Sequence, residues 1–498
     1  MIKKRIYLLT IVLLLFSTLV FSQSLEEFKK RVTEFTLDNG MKFIILERHE
    51  TPVISFLTYA DVGSVDEKKG ITGISHLLEH MAFKGTTTVG TKDIEAEKEA
   101  IKKVDEIYNQ ILLEKRKGKK ADQERLKRLE QDFKKAQEEA RKYVVSNEFG
   151  QIVEQAGGVG LNAFTGWDQT CYIYNFPSNK FELWMSLESD RYLNPVFREF
   201  FKERDVVMEE RRMRTESQPI GKLLEEFIDA AYKAHPYEEP PLGHMSDLKV
   251  MTRKDVERYF KEHYMPSNLT AAIVGDVDPR EVKKMAEIYF GRIPSGPKPK
   301  PVQTVEPPQL GEHRVEVEDK SQPILLIGYH KPDINHPDNA VYNTISDIIG
   351  MGRTSRLYKS LVKEKKIAIY TGAFSGLPGE KYPGLFIFFA VPSKDHTSEE
   401  CEKAIYEEIE KIKTEPVTDE ELKGVKTRAR AQLIKELRSN FGMALQLATY
   451  EVLTGDWRNL FKELDAINKV TAEDIMRVAK DCFKKKNRTV GQIVTISE

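Results

Sequence analysis

Residues 251–277, MTRKDVERYFKEHYMPSNLTAAIVGDV, have a counterpart at residues 470–496, VTAEDIMRVAKDCFKKKNRTVGQIVTI. Thr252 and Thr471 lie 219 positions apart, and four further identical pairs keep the same spacing. In each copy the threonine is placed to cap an amphipathic helix, and a polar turn then leads into a β-branched strand. The constant spacing indicates an internal duplication, with two unrelated helix–turn–strand units as the alternative.

A segment rich in proline and glycine separates the two copies. Residues 291–311, GRIPSGPKPKPVQTVEPPQLG, lack apolar periodicity and are typical of an extended linker. We therefore predict an N-terminal domain at residues 25–290 and a homologous C-terminal domain at residues 312–498.

Strand patterns and helix patterns are mixed in both parts of the chain. Strand-like runs occupy residues 42–46, 53–58 and 325–329, whereas residues 339–349 and 399–412 have helical patterns. This mixture predicts an α+β fold with two homologous α/β sandwich-like domains, in which helices pack on largely antiparallel sheets.

Residues 92–145 differ from the rest because they consist almost entirely of Lys, Glu, Arg, Asp, Gln and Ala. Apolar residues recur on two arms in alternating steps of three and four, and Gly118 supplies a turn between the arms. We predict an antiparallel helical hairpin inserted in the N-terminal domain, with a solvated charged spacer as the alternative. Because acids and bases are interspersed, the segment is not typical of a nucleic-acid-binding arm.

The composition is that of an ordinary globular protein. The 498 residues include 77 basic and 78 acidic side chains, so that the net charge is -1. This balance favours neither a nucleic-acid binder nor a protein directed at polyanions. Three cysteines are too few to form a disulfide framework, and their spacing is not that of a ligand cluster.

The first 22 residues, MIKKRIYLLTIVLLLFSTLVFS, have the pattern of a signal peptide. A basic start precedes an apolar run at residues 6–21, and a small residue at Ser22 allows cleavage after it. We predict export to the periplasm or to the outside of the cell. The alternative is an uncleaved anchor, the one case in which we expect contact with a membrane.

The stretch GISHLLEHMAFKGT at residues 73–86 contains the pattern H-x-x-E-H. On a helix, His76 and His80 lie one turn apart on the same face, where both rings can bind one ion. Zinc suits such a pair because it takes imidazole nitrogen in a tetrahedral set. Glu79 would lie beside the metal and could accept a proton from a water that the metal activates. A chance pair of surface histidines is the alternative.

A catalytic zinc ion needs a third protein ligand. In the acidic helix FFKERDVVMEERRMRTE at residues 200–216, Glu203 and Glu210 share one stripe, while Glu209 points about 100° away from Glu210. Glu210 is therefore the predicted ligand. Glu203 is the predicted neighbouring carboxylate that orients a ligand or the water.

Together these motifs resemble the pitrilysin/insulinase family of inverted-zincin peptidases, in particular its mitochondrial processing peptidase-like branch. The similarity extends over most of the chain after residue 30, in the family's order. It is carried by HLLEHMAFKGT (76–86), GGVGLNAFTGWDQTCYIY (157–174), LESDRYLNPVF (187–197), KERDVVMEE (202–210), HPYEEPPLG (235–243) and GMGRTSRLYKSLVKEKKIA (350–368). The resemblance implies a half-clamshell chain with one zinc ion, held in the N-terminal domain alone.

The resemblance also assigns roles to single residues. His76, His80 and Glu210 match the ligands, Glu79 the catalytic base and Glu203 the acid behind the ligands. Asn162, Ala163 and Phe164 match the edge strand with which substrate peptides pair in the family. Phe83 matches a hydrophobic wall near the scissile bond. From the residues alone, NAF could also be an ordinary strand edge.

Two departures from the family pattern concern assembly. Glu210 follows His80 by 130 residues, a long interval that the 92–145 insertion explains. The Arg and Tyr that anchor substrate in fully equipped members fall on Val362 and Ile369 here. The resemblance therefore implies a homodimer, or a heterodimer with an Arg/Tyr-bearing homologous subunit.

The predicted function is that of a zinc endopeptidase acting on peptides or unfolded polypeptide segments. The alternative is a non-catalytic structural or processing subunit of the same fold, with the hairpin as a docking arm. The complete set of His76, Glu79, His80 and Glu210 argues for catalysis.

Overall fold

The computed structural model describes residues 28–496, so the predicted signal segment at residues 1–22 lies outside the described residues. Within this range eleven strands form two sheets. The strands are β1 (Val32–Thr36), β2 (Lys42–Glu47), β3 (Val53–Ala60), β4 (Val159–Thr165), β5 (Thr170–Pro177), β6 (Leu269–Gly275), β7 (His313–Asp319), β8 (Leu325–Lys331), β9 (Ala368–Leu377), β10 (Gly384–Pro392) and β11 (Arg488–Thr495).

Helices surround both sheets. They are α1 (Ile74–Met81), α2 (Ile94–Lys115), α3 (Gln123–Arg141), α4 (Glu148–Gln155), α5 (Phe181–Leu193), α6 (Phe200–Arg211), α7 (Pro219–Ala231), α8 (Met245–Val250), α9 (Arg253–His263), α10 (Pro279–Tyr289), α11 (Asn339–Gly350), α12 (Ser398–Thr414), α13 (Asp419–Arg438), α14 (Asn440–Thr454), α15 (Asn459–Lys469) and α16 (Ala472–Cys482). None of the helices in the described range is long and apolar enough to cross a bilayer.

The two sheets share one topology. The first has the order β1-β2-β6-β3-β5-β4 and the second the order β7-β11-β8-β10-β9. Each contains one parallel pair, β2 with β6 or β7 with β11, and its other neighbouring strands are antiparallel. Five strands of the first sheet thus correspond in order and direction to the five strands of the second. This confirms the predicted α+β fold with two homologous domains.

The repeated segments occupy equivalent places. Thr252 caps the start of α9 and Thr471 that of α16, each within a capping box whose partner carboxylate is three residues later. Each helix leads into the strand that forms the parallel pair, β6 or β11. The repeated threonine therefore marks the same structural junction in each domain.

Each sheet is also covered by a helix of the other domain. Leu447 of α14 and nearby Trp457 join Ile44 and Leu57 of the first sheet in one buried cluster. In the other direction, Phe227 of α7 is buried with residues of the second sheet. Full burial of such a side chain contributes about 1.5–3 kcal/mol to stability, so this mutual packing holds the two domains together.

The charged segment forms helices α2 and α3, which pack against each other through Tyr108 and Phe133, with ring centroids 5.5 Å apart. Beyond the middle of α2 the pair also packs on α6, since the Tyr108 ring lies 4.5 Å from that of Phe201. The base is fixed by the ion pair between Glu97 and Arg198, whose side chains are 0% and 1% exposed. The hairpin is therefore docked on the domain from its base to beyond the middle of α2.

Between the short turn Phe290–Arg292 and β7, the described chain forms neither helix nor strand. This segment is nevertheless held in place. The carboxylate of Glu306 accepts hydrogen bonds from the backbone N–H groups of Lys233, Ala234 and His235, just after α7.

Candidate metal centre

Helix α1 carries the H-x-x-E-H motif and is short and deeply buried. It starts after Gly73, whose φ of 84° lies in the left-handed region. An added Cβ there would lie 2.8 Å from the carbonyl oxygen of Leu242, so a larger residue is excluded sterically as well. The carboxylate of Glu67 accepts hydrogen bonds from the N–H groups of Gly73 and Ser75, at 2.6 and 2.8 Å. It thereby satisfies donors at the start of the helix that would otherwise be unpaired.

Helix α6 packs across α1 and brings the acidic residues to the histidines. Phe200, Phe201 and Val207 anchor it in the core. Glu203 and Glu210 lie two turns apart on the same side of the helix and face α1, with side chains 9% and 16% exposed. Two non-contiguous helices therefore build the site.

Three side chains converge on one point. Oε2 of Glu210 lies 3.7 Å from Nε2 of His76 and 3.4 Å from Nε2 of His80. One ligand atom from each of the three residues can be chosen so that all lie within 4.8 Å of one another. Ligand atoms of a tetrahedral zinc ion with bonds of about 2.0–2.1 Å are separated by roughly 3.3 Å. Both the donor types and their spacing fit zinc.

The second nitrogen of His80 faces another carboxylate. Its Nδ1 lies 3.6 Å from Oε2 of Glu203, and Oε1 of Glu203 lies 2.5 Å from Nζ of Lys84. A ligating histidine commonly has such a carboxylate on its other nitrogen, which fixes the ring and its tautomer. Glu203 is thus placed to orient His80, and Lys84 to orient Glu203.

The two histidines differ in electrostatic environment. Burial lowers the pKa of His76 to about 4, assisted by the charge on His80. Burial also disfavours the charge on His80, but the carboxylates of Glu203 and Glu210 outweigh it and raise the pKa of His80 to about 9. In the absence of metal, a proton on His80 therefore neutralises part of the acidic cluster.

Glu79 is on the same helix, beside the three converging donors. Burial raises the pKa of its carboxyl group, although Thr165 partly offsets the effect. The hydroxyl of Thr165 donates a hydrogen bond of 2.6 Å to Oε2 of Glu79. The sequence patterns do not predict this role of Thr165, although the residue directly follows the NAF triplet at 162–164.

The site opens into two cavities. The larger, about 590 Å³, is lined by His76, Glu79, His80 and Glu210 and by the strand residues Asn162, Ala163 and Phe164. Its lining also includes the apolar residues Trp167, Leu224, Ile228 and 240–242, together with the charged residues Arg214, Glu225 and Glu238. The smaller cavity, about 390 Å³, contacts Phe83, Lys84 and Glu203, and residues 144–147, just after α3, form part of its wall.

Strand β4 is the last strand of its sheet and is paired on one side by β5. The N–H of Ala163 is bonded to Oδ1 of Asn162, its own neighbour, at 2.9 Å. A backbone that paired with the open edge would have to take this donor over from the Asn162 side chain.

Val362 and Ile369 lie in the second domain. Val362 is partly buried against the core of that domain, whereas Ile369 is 56% exposed on β9, the last strand of the second sheet. In the described part of the chain, neither Val362 nor Ile369 lines either of the two cavities.

Two models of one family together match most of the chain. Residues 42–111 and 120–244 match "Insulinase (Peptidase family M16)", and residues 251–429 match "Peptidase M16 inactive domain". The chain belongs to peptidase family M16, the pitrilysin/insulinase family. The gap in the first match falls at residues 112–119, within the hairpin.

Relatives in this peptidase family align with nearly the whole chain. "Zinc protease PqqE" of Helicobacter pylori is 28% identical over 493 residues, which is 98% of this chain and 97% of that protein. A crystal structure of a protease from Helicobacter pylori has a TM-score of 0.77 at 27% identity and covers 93% of this chain and 99% of the other. The periplasmic protease PqqL of Escherichia coli has the same fold at 16% identity, with a TM-score of 0.69, covering 94% of this chain and 48% of the other.

Proposed function

We propose that the protein is a zinc-dependent endopeptidase that hydrolyses peptides or unfolded polypeptide segments. His76, His80 and Glu210 would hold one zinc ion per chain. The convergence of these three donors beside Glu79 carries the proposal. The names of the relatives, which are zinc proteases, are consistent with it.

Glu79 is proposed as the general base. Bound zinc would supply Lewis acidity, which polarises a carbonyl group and makes water more acidic. Glu79 would take the proton from the attacking water and return it to the nitrogen of the leaving amine. Because Thr165 binds Oε2 of Glu79, we expect Oε1 to take the proton. The raised pKa of Glu79 suits this exchange.

The open edge of β4 is proposed to bind substrate as an added strand. Asn162, Ala163 and Phe164 line the larger cavity together with Glu79, so a peptide paired there would pass the catalytic carboxylate. Phe83 would form an apolar wall of the smaller cavity. This mode requires an extended substrate backbone and therefore favours peptides and unfolded segments over folded proteins.

The chain is proposed to work as the zinc-bearing subunit of a dimeric clamshell. The positions that correspond to the family's substrate-anchoring Arg and Tyr are occupied by the apolar residues Val362 and Ile369. This chain covers only 48% of PqqL, which supports a complete clamshell made of two halves of similar size. The partner would be a second copy or a homologous subunit that carries the Arg and Tyr.

Export is proposed as well. The N-terminal sequence has the signal-peptide pattern, and PqqL of Escherichia coli, which shares the fold, is a periplasmic protease. We retain residues 25–290, 291–311 and 312–498 as the proposed N-terminal domain, linker and C-terminal domain.

The test combines zinc content with cleavage of a quenched peptide by wild type, Glu79→Gln and the matched control Glu209→Gln. Glu209 is on α6 but has an exposed side chain that pairs with Arg212. We expect all three proteins to bind one zinc ion and only Glu79→Gln to lose cleavage.

Equal cleavage by Glu79→Gln would contradict the proposed base. A zinc-loaded wild type that cleaves only after a homologous subunit is added would identify the heterodimer. Zinc binding with no cleavage under either condition would favour the alternative, a non-catalytic subunit.

A further inference from the structure

Arg214 contacts the carboxylate that would bind the metal. Its Nη1 lies 3.0 Å from Oε1 of Glu210, whereas Oε2 of the same carboxylate faces His76 and His80. The two oxygens of Glu210 therefore have separate partners, one a guanidinium and the other the pair of imidazoles.

The turn that carries Arg214 is unusual. Helix α6 continues beyond Arg211 into a π-helical turn, Arg212–Glu216, which closes with a hydrogen bond of 2.7 Å from Ser217 N–H to the carbonyl oxygen of Arg212. Such wide turns are rare and frequently occur at functional sites. Arg214 lies in this turn, four residues after Glu210, and its guanidinium contacts that carboxylate and lines the larger cavity.

The neighbouring helix holds this turn in place. A Cβ at Gly221 of α7 would lie 2.2 Å from the carbonyl oxygen of Arg214 and 2.9 Å from Cα of Thr215. A second link is the hydrogen bond of 2.7 Å from Arg211 to Glu225 of α7. The backbone at Arg214 is therefore held against α7, although its side chain is largely exposed.

We propose that Arg214 is a positioning residue that keeps Glu210 as a one-oxygen ligand. By holding Oε1, the guanidinium would leave Oε2 alone to the metal, and the fourth position of a tetrahedral site would stay open. This inference rests on the zinc site of the proposed function. Since the side chain of Arg214 is 69% exposed, we expect the contact to matter for metal binding and little for folding stability.

The test measures zinc affinity by competition with a chromophoric chelator in Arg214→Ala, Arg214→Lys and Arg212→Ala. Arg212 is the matched control because it lies in the same turn and pairs with the exposed Glu209 at 2.7 Å, away from the ligands. We expect Arg214→Ala to bind zinc about 10–100-fold more weakly, as is typical when the partner of a ligand is removed. Arg214→Lys should recover most of the affinity, and Arg212→Ala should match wild type.

Two further measurements separate positioning from misfolding. The thermal midpoint of the zinc-free protein should be the same in all variants. In Arg214→Ala, Glu210 should bind through both oxygens, and the higher coordination number should weaken the visible absorption of the Co²⁺-loaded protein. A zinc affinity of Arg214→Ala within twofold of wild type would overturn the inference and leave the proposed function intact. Failure of wild type to bind zinc would overturn both.

Discussion

The hydroxyl of Thr165 donates a hydrogen bond of 2.6 Å to Oε2 of Glu79. This contact joins the last residue of the open strand β4 to the carboxylate beside the metal ligands. The strand proposed to bind substrate and the group proposed to move the proton are thus held in one fixed arrangement.

Replacement of Thr165 by Val should lower kcat while zinc content stays at one ion per chain. A hydrogen bond to a charged group contributes about 1.5–3 kcal/mol, so we expect a loss of roughly tenfold to 100-fold. Thr165→Ser keeps the hydroxyl and should retain most of the activity. Equal rates for Thr165→Val and wild type would show that Glu79 is oriented by other contacts.

Zinc affinity should increase with pH up to about 9. Without metal, His80 has a pKa of about 9 and is protonated at neutral pH, whereas His76, with a pKa of about 4, is already neutral. Zinc needs neutral imidazole, so each ion bound below pH 9 displaces one proton from His80. The affinity should therefore rise about tenfold per pH unit between pH 6.5 and 8.5, measured by chelator competition.

Glu203→Gln tests the cause of this dependence. Loss of the carboxylate should lower the pKa of His80, so the affinity should level off at a lower pH than in wild type. Calorimetry in two buffers of different ionisation enthalpy should give about one proton released per zinc ion at pH 7 in wild type. An affinity independent of pH in wild type would contradict a protonated His80.

Replacement of Glu97 by Gln should strongly destabilise the first domain. Glu97 and Arg198 form a fully buried pair, with a hydrogen bond of 2.8 Å. Removing one charge leaves the other buried and uncompensated, which costs about 3–5 kcal/mol in the free energy of unfolding. Urea denaturation measures the effect.

The control is Glu95→Gln on the same helix. Glu95 and Lys98 form an exposed ion pair at 3.0 Å, with side chains 79% and 51% exposed. Such pairs contribute at most about 1 kcal/mol. If the two variants had the same unfolding midpoint, the buried pair would not be needed to dock the hairpin.

Ala163→Pro should weaken substrate binding without affecting the metal. The Ala163 N–H is bonded to the side chain of Asn162, and a substrate carbonyl at the open edge of β4 would replace that partner. Proline removes this donor, and the loss of one hydrogen bond of about 1 kcal/mol should raise KM roughly fivefold. Zinc content and the thermal midpoint serve as controls, and an unchanged KM would argue against strand pairing at this edge.

The repeated sequence predicted the common architecture of the two domains because helix caps and strand patterns are local signals. Thr252 and Thr471 cap their helices through residues only three positions away. The structure extends the predicted elements by one or two residues at their ends, as for β3, which runs to Ala60. Backbone pairing, which the side-chain pattern does not report, continues there.

The hairpin illustrates what the local pattern could not predict. Its alternating apolar residues indicated two packed helices, but Glu97 resembled the other charged residues of the segment. Its partner, Arg198, is 101 positions away, and burial of the pair depends on how α2 lies against the start of α6. A carboxylate at the surface and one in a buried ion pair have the same local sequence signal.

By itself, the sequence determined that His76 and His80 share one face of a helix, since a spacing of four residues fixes this in any α-helix. It also determined that Glu203 and Glu210 share one stripe, for the same reason. Only the tertiary structure decided that the two helices cross with these faces together, that Thr165 reaches Glu79 and that Arg214 holds Glu210. Helical periodicity is set by the backbone, whereas the crossing of two helices is set by core packing among residues far apart in the chain.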